Sequence, residues 1–281
     1  MNALLEVPMR SHIRQTLLRW AVVVFVLLVP FAASAQTTWT DTALGDSLAV
    51  GAIAFRGYVP RYRDYIRTDT GVAVSLTNLG QNGWWSSDLR SALTDPSNPN
   101  YNNFRQQIAK SQVVTWDIGG NDLRSQRSRY KKGLNTTSPC GGADNQDCFR
   151  LGVQAFKENW DAIVAAILSL RGTETTIIRT MDIYNPYVNQ DKGSDSWPDD
   201  GGLNDFQVLK PYLDDVNNYI AASAALNNIP YAKVYLKFNG INGDIDPRTF
   251  GYISFDGLHP NDTGHKAIAD SLRVLGYSPL R

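Results

Sequence analysis

From Gln36 onward the chain alternates short β-branched, apolar runs with longer amphipathic stretches, and this alternation restricts the fold more than any other feature. The strand candidates are Thr38 to Leu44, Val72 to Leu79, Gln112 to Ile118, Thr175 to Ile183 and Ala232 to Phe238, each bounded by Gly, Asn or Pro. The clearest helix runs from Phe149 to Leu170, where Phe156, Trp160, Ile163, Val164 and Ile167 recur at spacings of three and four and so line one face. A second spans Asp205 to Leu226, with Leu209, Tyr212, Leu213, Val216 and Ile220 on its buried side. Proline is tolerated only near a helix start, so Pro211 is expected to mark where the regular part of that helix begins. Strands alternating with helices imply parallel pairing through right-handed crossovers, hence an α/β fold: a three-layer α/β/α sandwich around a five-stranded parallel sheet. Ligands of such sheets bind outside the carboxyl ends of the strands.

The first 35 residues differ from the rest. Arg10, Arg14 and Arg19 precede an apolar run from Trp20 to Ala33, and Ala33-Ser34-Ala35 has the small-x-small pattern of a signal-peptidase site. A secretory signal over residues 1–35 is expected, followed by a single domain over 36–281, since no low-complexity linker or repeat interrupts the remainder. The apolar run is shorter than the roughly 20 residues that span a bilayer, and no cysteine follows it to carry a lipid, so no stable membrane anchor is expected. A secreted or periplasmic location follows.

Lys and Arg together number 27, as do Asp and Glu, which provides no electrostatic footprint for nucleic acid. The two cysteines, Cys140 and Cys148, enclose the polar stretch CGGADNQDC. In a secreted chain this pair is expected to be a disulfide, because two cysteines without an adjacent histidine do not make a zinc site.

Ser47, in DTALGDSLAVG, stands between a strand and the following segment. Taken alone it reads as a helix N-cap. As a nucleophile it would need a base, a group that orients the base, and donors aimed at the developing oxyanion. With His12 in the expected signal, only His259 and His265 remain as bases. His259 lies in SFDGLHPND, three residues after Asp256, a spacing that lets the carboxylate fold back onto the imidazole Nδ1 and leaves Nε2 free. His265 has no such partner and is expected at the surface or its boundary. It belongs to a final helix, GHKAIADSLRVLG, whose Ile268, Leu272 and Val274 are expected to pack inward.

Asn121, in WDIGGND after the third strand, is a candidate oxyanion donor, and the glycines of NLGQNGWWSSDL after the second strand would let a backbone N–H approach a ligand. Trp84 and Trp85 either rim this site, stacking on sugars or lining an acyl groove, or plug the core. Tyr184, after the fourth strand, is a further substrate-side candidate. The Asp-rich stretch VNQDKGSDSWPDDGG, Val188 to Gly202 and overlapping the 191–205 loop, has no ordered calcium-ligand spacing and is expected to be a solvated loop.

GDSL at Gly45 to Leu48, a glycine in the second loop, GGND at Gly119 to Asp122 and DGLHPND at Asp256 to Asp262 together resemble the SGNH hydrolases, or GDSL esterases and lipases, in order and strand context. The resemblance covers about 240 residues and implies a flavodoxin-like sheet, with Ser47 as nucleophile, His259 as base and then acid, and Asp256 orienting the imidazole. It also implies an oxyanion hole formed by the Ser47 N–H, the Gly83 N–H and the Asn121 side chain. Gly83 is preferred to Gly80 because it stands five residues after Asn78. Asp46 is expected to brace the serine loop.

What the resemblance implies is a secreted monomeric serine esterase that needs no metal or organic cofactor. Its partner would be a small-molecule or glycan ester: lipid, short acyl or O-acetylated. The alternatives are a non-catalytic carbohydrate-binding module on the same fold and an acyltransferase.

Overall fold

A computed structural model describes residues 38–132, 139–197 and 201–280; the expected signal lies outside them. The elements run β1 (Thr38–Leu44), the single turn α1 (Ser47–Val50), α2 (Tyr58–Thr70), β2 (Ala73–Asn78), α3 (Ser86–Thr94), α4 (Tyr101–Ala109), β3 (Val113–Trp116) and α5 (Gly120–Lys132). There follow α6 (Asp147–Arg171), β4 (Ile177–Met181), α7 (Val188–Lys192), α8 (Asp205–Leu226), β5 (Tyr231–Ala232), α9 (Val234–Asn239), a 3₁₀ turn (Pro247–Phe250) and α10 (Asp262–Arg273). The strands form one five-stranded sheet in the order β2-β1-β3-β4-β5, every neighbouring pair parallel.

All four residues of β3 are buried, as expected of a central strand covered on both faces. One face packs Leu44, Trp116, Phe156 and Trp160 with α3, α6 and α8, and the two tryptophan rings lie 5.7 Å apart. The other packs Ala43, Tyr62, Phe238, Ile268 and Leu272 with α2, α9 and α10. The expected α/β sandwich is therefore present. In α6 the predicted stripe of Phe156, Trp160, Ile163, Val164 and Ile167 is buried along its whole length.

Three local expectations are corrected. The fifth strand is only Tyr231–Ala232, and the residues read as its continuation form α9. Val234 and Phe238, four apart, are buried while Leu236 between them is exposed, so a helical period and not an alternating one fits this short run. Pro211 does not start its helix: Asn204 and Gln207 cap each other's backbone N–H groups and begin α8 at Asp205, and the proline removes only the bond that the Gln207 carbonyl would have accepted. In α10, Asn261 caps the N-terminus, which places His265, Ile268 and Leu272 on the inward face and leaves Val274 82% exposed. His265 is thus fully buried and not a boundary residue.

Candidate active site

β1 ends on Gly45, whose φ of +142° and whose approach to β3 both require glycine; an added Cβ would sit 2.5 Å from the Asp117 carbonyl oxygen. The chain then turns into α1, with Asp46 as N-cap accepting the Leu48 N–H at 2.9 Å, which is the bracing expected of it. Ser47 is left as the first residue of that turn, at the carboxyl edge of the sheet. Its N–H is among those that a helix start leaves without an intrahelical partner.

His259 reaches Ser47 from the other end of the chain. Its loop is closed by the bridge between Ile253 and Pro260 and by the Ser254 N–H donating to the His259 carbonyl at 2.8 Å. Inside the loop Asp256 folds back: Oδ1 accepts the N–H groups of Leu258 and His259, each at 3.0 Å, and Oδ2 accepts His259 Nδ1–H at 2.5 Å. His259 Nε2 lies 2.9 Å from Ser47 Oγ, placed to accept its proton. Carboxylate, imidazole and hydroxyl are therefore in hydrogen-bonded series.

The third and second loops converge on the same serine. Asn121, at the start of α5, donates from Nδ2 to the Trp84 carbonyl at 2.9 Å and lies 3.5 Å from Asp46 Oδ2. Asn78 donates to the Ala49 carbonyl at 2.6 Å and accepts the Gly80 N–H at 3.0 Å, tying the second loop to α1. Gly80 is packed so closely on this turn that an added Cβ would lie 2.7 Å from Ala49 Cβ. The Gly80 N–H is thus already engaged. Gly83 has φ +78° and open space around it, and among the described residues its N–H takes no protein acceptor.

Charge is distributed unevenly below the serine. Burial pushes Asp46 up to about 6, against the hydrogen bond from Leu48. Burial, and then the Asp46 charge, raise Asp117 well above the ordinary carboxylate range, while Tyr58 OH donates to its Oδ1 at 2.5 Å. Asp256 goes the other way: burial works to raise it, but the His259 ring and two backbone N–H groups outweigh that and hold it below its ordinary value. The carboxylate that faces the imidazole stays ionised, whereas the buried one beneath Gly45 favours its proton.

A cavity partly open to solvent lies at Ser47 and His259 between α5, the loop after β4, and α8. Tyr184 lines it and donates its hydroxyl to the Leu258 carbonyl at 2.8 Å. Trp84 and Trp85 are not among the residues that line it, and of the two placements expected for them Trp84 takes the core. Trp84 stacks on Phe104 at 5.5 Å against the core, and Trp85 is partly exposed where its N–H donates to Asp88 at the start of α3. The side chains that do line the cavity on α5 and α8, Leu123, Arg127, Leu209 and Leu213, carry no motif and show only as ordinary helix positions in the sequence.

The Asp-rich segment is likewise less solvated than expected. Asp191 and Asp205 are buried, Asp191 paired with Arg127 and both with Lys131, so part of its charge braces the fold. Among the described residues no cluster of His, Cys, Asp and Glu is arranged to hold a metal ion. Cys140 and Cys148 form a disulfide with their Cα atoms 4.7 Å apart.

A parallel sheet carrying hydroxyl, imidazole and carboxylate in series at its carboxyl edge is the arrangement of a serine hydrolase. Residues 43–267 match the model of the GDSL-like lipase/acylhydrolase family; the chain belongs to that family and is a carboxylic ester hydrolase. A spore germination lipase, LipC, of Bacillus licheniformis is 25% identical over 244 residues, covering 85% of this chain and 97% of the relative. Among solved structures, the lipase Lip_vut3 from a goat rumen metagenome superposes with a TM-score of 0.67 at 24% identity, covering 86% of this chain and all of that one. The acetylxylan esterase Axe2 of Geobacillus stearothermophilus does so at 0.56 and 16%, covering 86% and 97%.

Proposed function

We propose that this protein is a secreted or periplasmic serine esterase that cleaves carboxylic esters through an acyl-enzyme on Ser47. The observation that carries this reading is the continuous series from Asp256 Oδ2 to His259 Nδ1 at 2.5 Å and from His259 Nε2 to Ser47 Oγ at 2.9 Å. The basic and apolar start of the sequence supports export, with residues 1–35 as signal and 36–281 as the hydrolase domain.

In the first half-reaction Ser47 Oγ attacks the ester carbonyl while His259 Nε2 takes its proton. The imidazolium is stabilised by the ionised Asp256, and the tetrahedral oxyanion by the Ser47 N–H, the Gly83 N–H and an Asn121 amide N–H. Collapse expels the alcohol with the proton from His259. Water then attacks the acyl-enzyme with the same base, returning free Ser47 and the acid. A non-catalytic binding module would not need this unbroken series, and acyl transfer would use the same intermediate with an alcohol in place of water.

The test is hydrolysis of p-nitrophenyl acetate and butyrate by the purified protein. Ser47→Ala and His259→Ala should each reduce kcat to the small background supplied by binding and the oxyanion donors. Activity that survived both substitutions would refute the assignment.

A further inference from the structure

We propose that Arg127 and Tyr187 form the end wall of an acyl-chain pocket, so that the enzyme prefers esters of medium-length straight-chain acids to acetate and to long-chain acyl esters. This inference rests on the esterase reading of Ser47 and specifies its substrate.

The cavity that opens at Ser47 runs beside α5, where Leu123 and Arg127 line it in turn, and is completed by Ile183, Leu209 and Leu213. Leu123, Ile183, Leu209 and Leu213 thus give it an aliphatic flank suited to a methylene chain, while the Tyr184 and Tyr187 rings lie on the side of the loop after β4. From Asn121, beside the serine, to Arg127 the helix advances about 9 Å at about 1.5 Å per residue. An extended chain gains about 1.2 Å per bond, judged from the span of an extended peptide, so this length holds roughly seven or eight bonds. That corresponds to an octanoyl group, which has seven carbon–carbon bonds and an eighth to Ser47 Oγ.

What stops the chain there is a charged and immobile group. The Arg127 guanidinium grips Asp191 with two bonds, Nε to Oδ2 at 2.8 Å and Nη2 to Oδ1 at 2.5 Å, and lies over the Tyr187 ring with 3.8 Å to its centroid. Lys131 bonds both Asp191 and Asp205, which joins α5, α7 and the start of α8 in one ion-pair network. Asp191 is wholly buried, so withdrawing Arg127 would leave a carboxylate short of its closest partner. Such a wall neither swings aside nor accepts methylene groups favourably. Its charge is already matched by Asp191, so it acts by shape and not as an anchor for an anionic substrate.

The experiment measures kcat/KM of the purified protein on p-nitrophenyl esters from acetate to palmitate. For the native sequence, kcat/KM should rise by up to about fourfold per buried methylene, peak near octanoate, and fall beyond. Tyr187→Ala removes the ring but keeps the Arg127–Asp191 pair, and should move the optimum to longer chains. Leu213→Phe should move it to shorter ones. The double variant Arg127→Met with Asp191→Leu should lengthen the optimum further; should it fail to fold, the two single variants carry the test. A native optimum at acetate, or an optimum unmoved in both folded single variants, would overturn the proposal. Absence of turnover on every ester by the native protein would instead overturn the esterase reading, and this inference with it.

Discussion

Replacing Asp256 by asparagine is the substitution that best isolates the chemistry of the site from its architecture. Asp256 accepts three hydrogen bonds: two backbone N–H groups on Oδ1 and the imidazole Nδ1–H on Oδ2. In Asp256→Asn the amide oxygen keeps the two backbone bonds, but an NH₂ group faces Nδ1. A donor there forces the imidazole proton onto Nε2, which then points a hydrogen at Ser47 Oγ and can no longer accept one. The loop itself should hold, because the Ile253–Pro260 bridge, the Ser254 and His259 backbone bond, and Arg248 Nη2 donating to the Gly257 carbonyl at 2.8 Å do not involve this side chain. Wrong-tautomer substitution of this kind lowers kcat by about 10⁴, equivalent to about 5.5 kcal/mol of transition-state stabilisation. The assay pairs kcat on p-nitrophenyl hexanoate with a thermal melt of the same sample. A fall of that size with a melting temperature within a few degrees of native is expected. A folded variant retaining activity within about tenfold would show that the orienting carboxylate is not needed and refute the mechanism.

Two further predictions concern stability. Asp41, fully buried in β1 with Oδ1 lacking a partner among the described residues, is pushed up to about 7 by burial against the pull of Arg63. The folded state therefore holds a proton that the unfolded chain releases near pH 4, so Asp41's contribution to stability is lost as pH rises from about 4 to about 7. Asp41→Asn removes this loss and should be more stable than the native protein at pH 8 by on the order of 4 kcal/mol, the advantage vanishing at pH 4; urea midpoints at the two pH values check it, and a variant weaker at pH 8 would contradict the assigned burial cost. The Cys140–Cys148 disulfide closes a loop with a sequence separation of 8. Replacing both residues by serine should lower stability by about 2.5 kcal/mol through the entropy returned to the unfolded chain, read as a drop in urea midpoint with the slope little changed, and an unchanged midpoint would count against that account.

The chemistry of the site was legible because its residues keep fixed local spacing. Asp256 and His259 are three apart within one loop, so their contact is a property of a single turn, and scarcity of histidine left few partners for Ser47. The bracing role of Asp46 was legible for a similar reason, since it adjoins Ser47, although the cap of α1 is Asp46 and not the serine. Illegible were the features made by elements distant in sequence. His265 reads as a polar helix residue, yet α10 packs against α2 and buries it, with the Tyr58 N–H donating to its Nδ1 at 3.2 Å and satisfying one of its two ring nitrogens. Burial also lowers its pKa to about 4, in keeping with a neutral ring. Trp84 and Trp85, adjacent in sequence, part company because the loop turns between them: one ring goes into the core beside Phe104 and the other out to solvent.

The sequence by itself determined the alternation of strands and helices, hence the parallel sheet, and the local pairings at the ends of its strands, because hydrophobic period and turn chemistry act over a few residues. Only the tertiary structure decided that Ser47 and His259, 212 residues apart, lie within hydrogen-bond reach. It also decided what surrounds them: a cavity lined by leucines from α5 and α8 and by Arg127, which pairs with the buried Asp191. Those side chains acquire their meaning from packing between layers, and the free energy of burial that brings them together is a property of the whole assembled core and not of any segment.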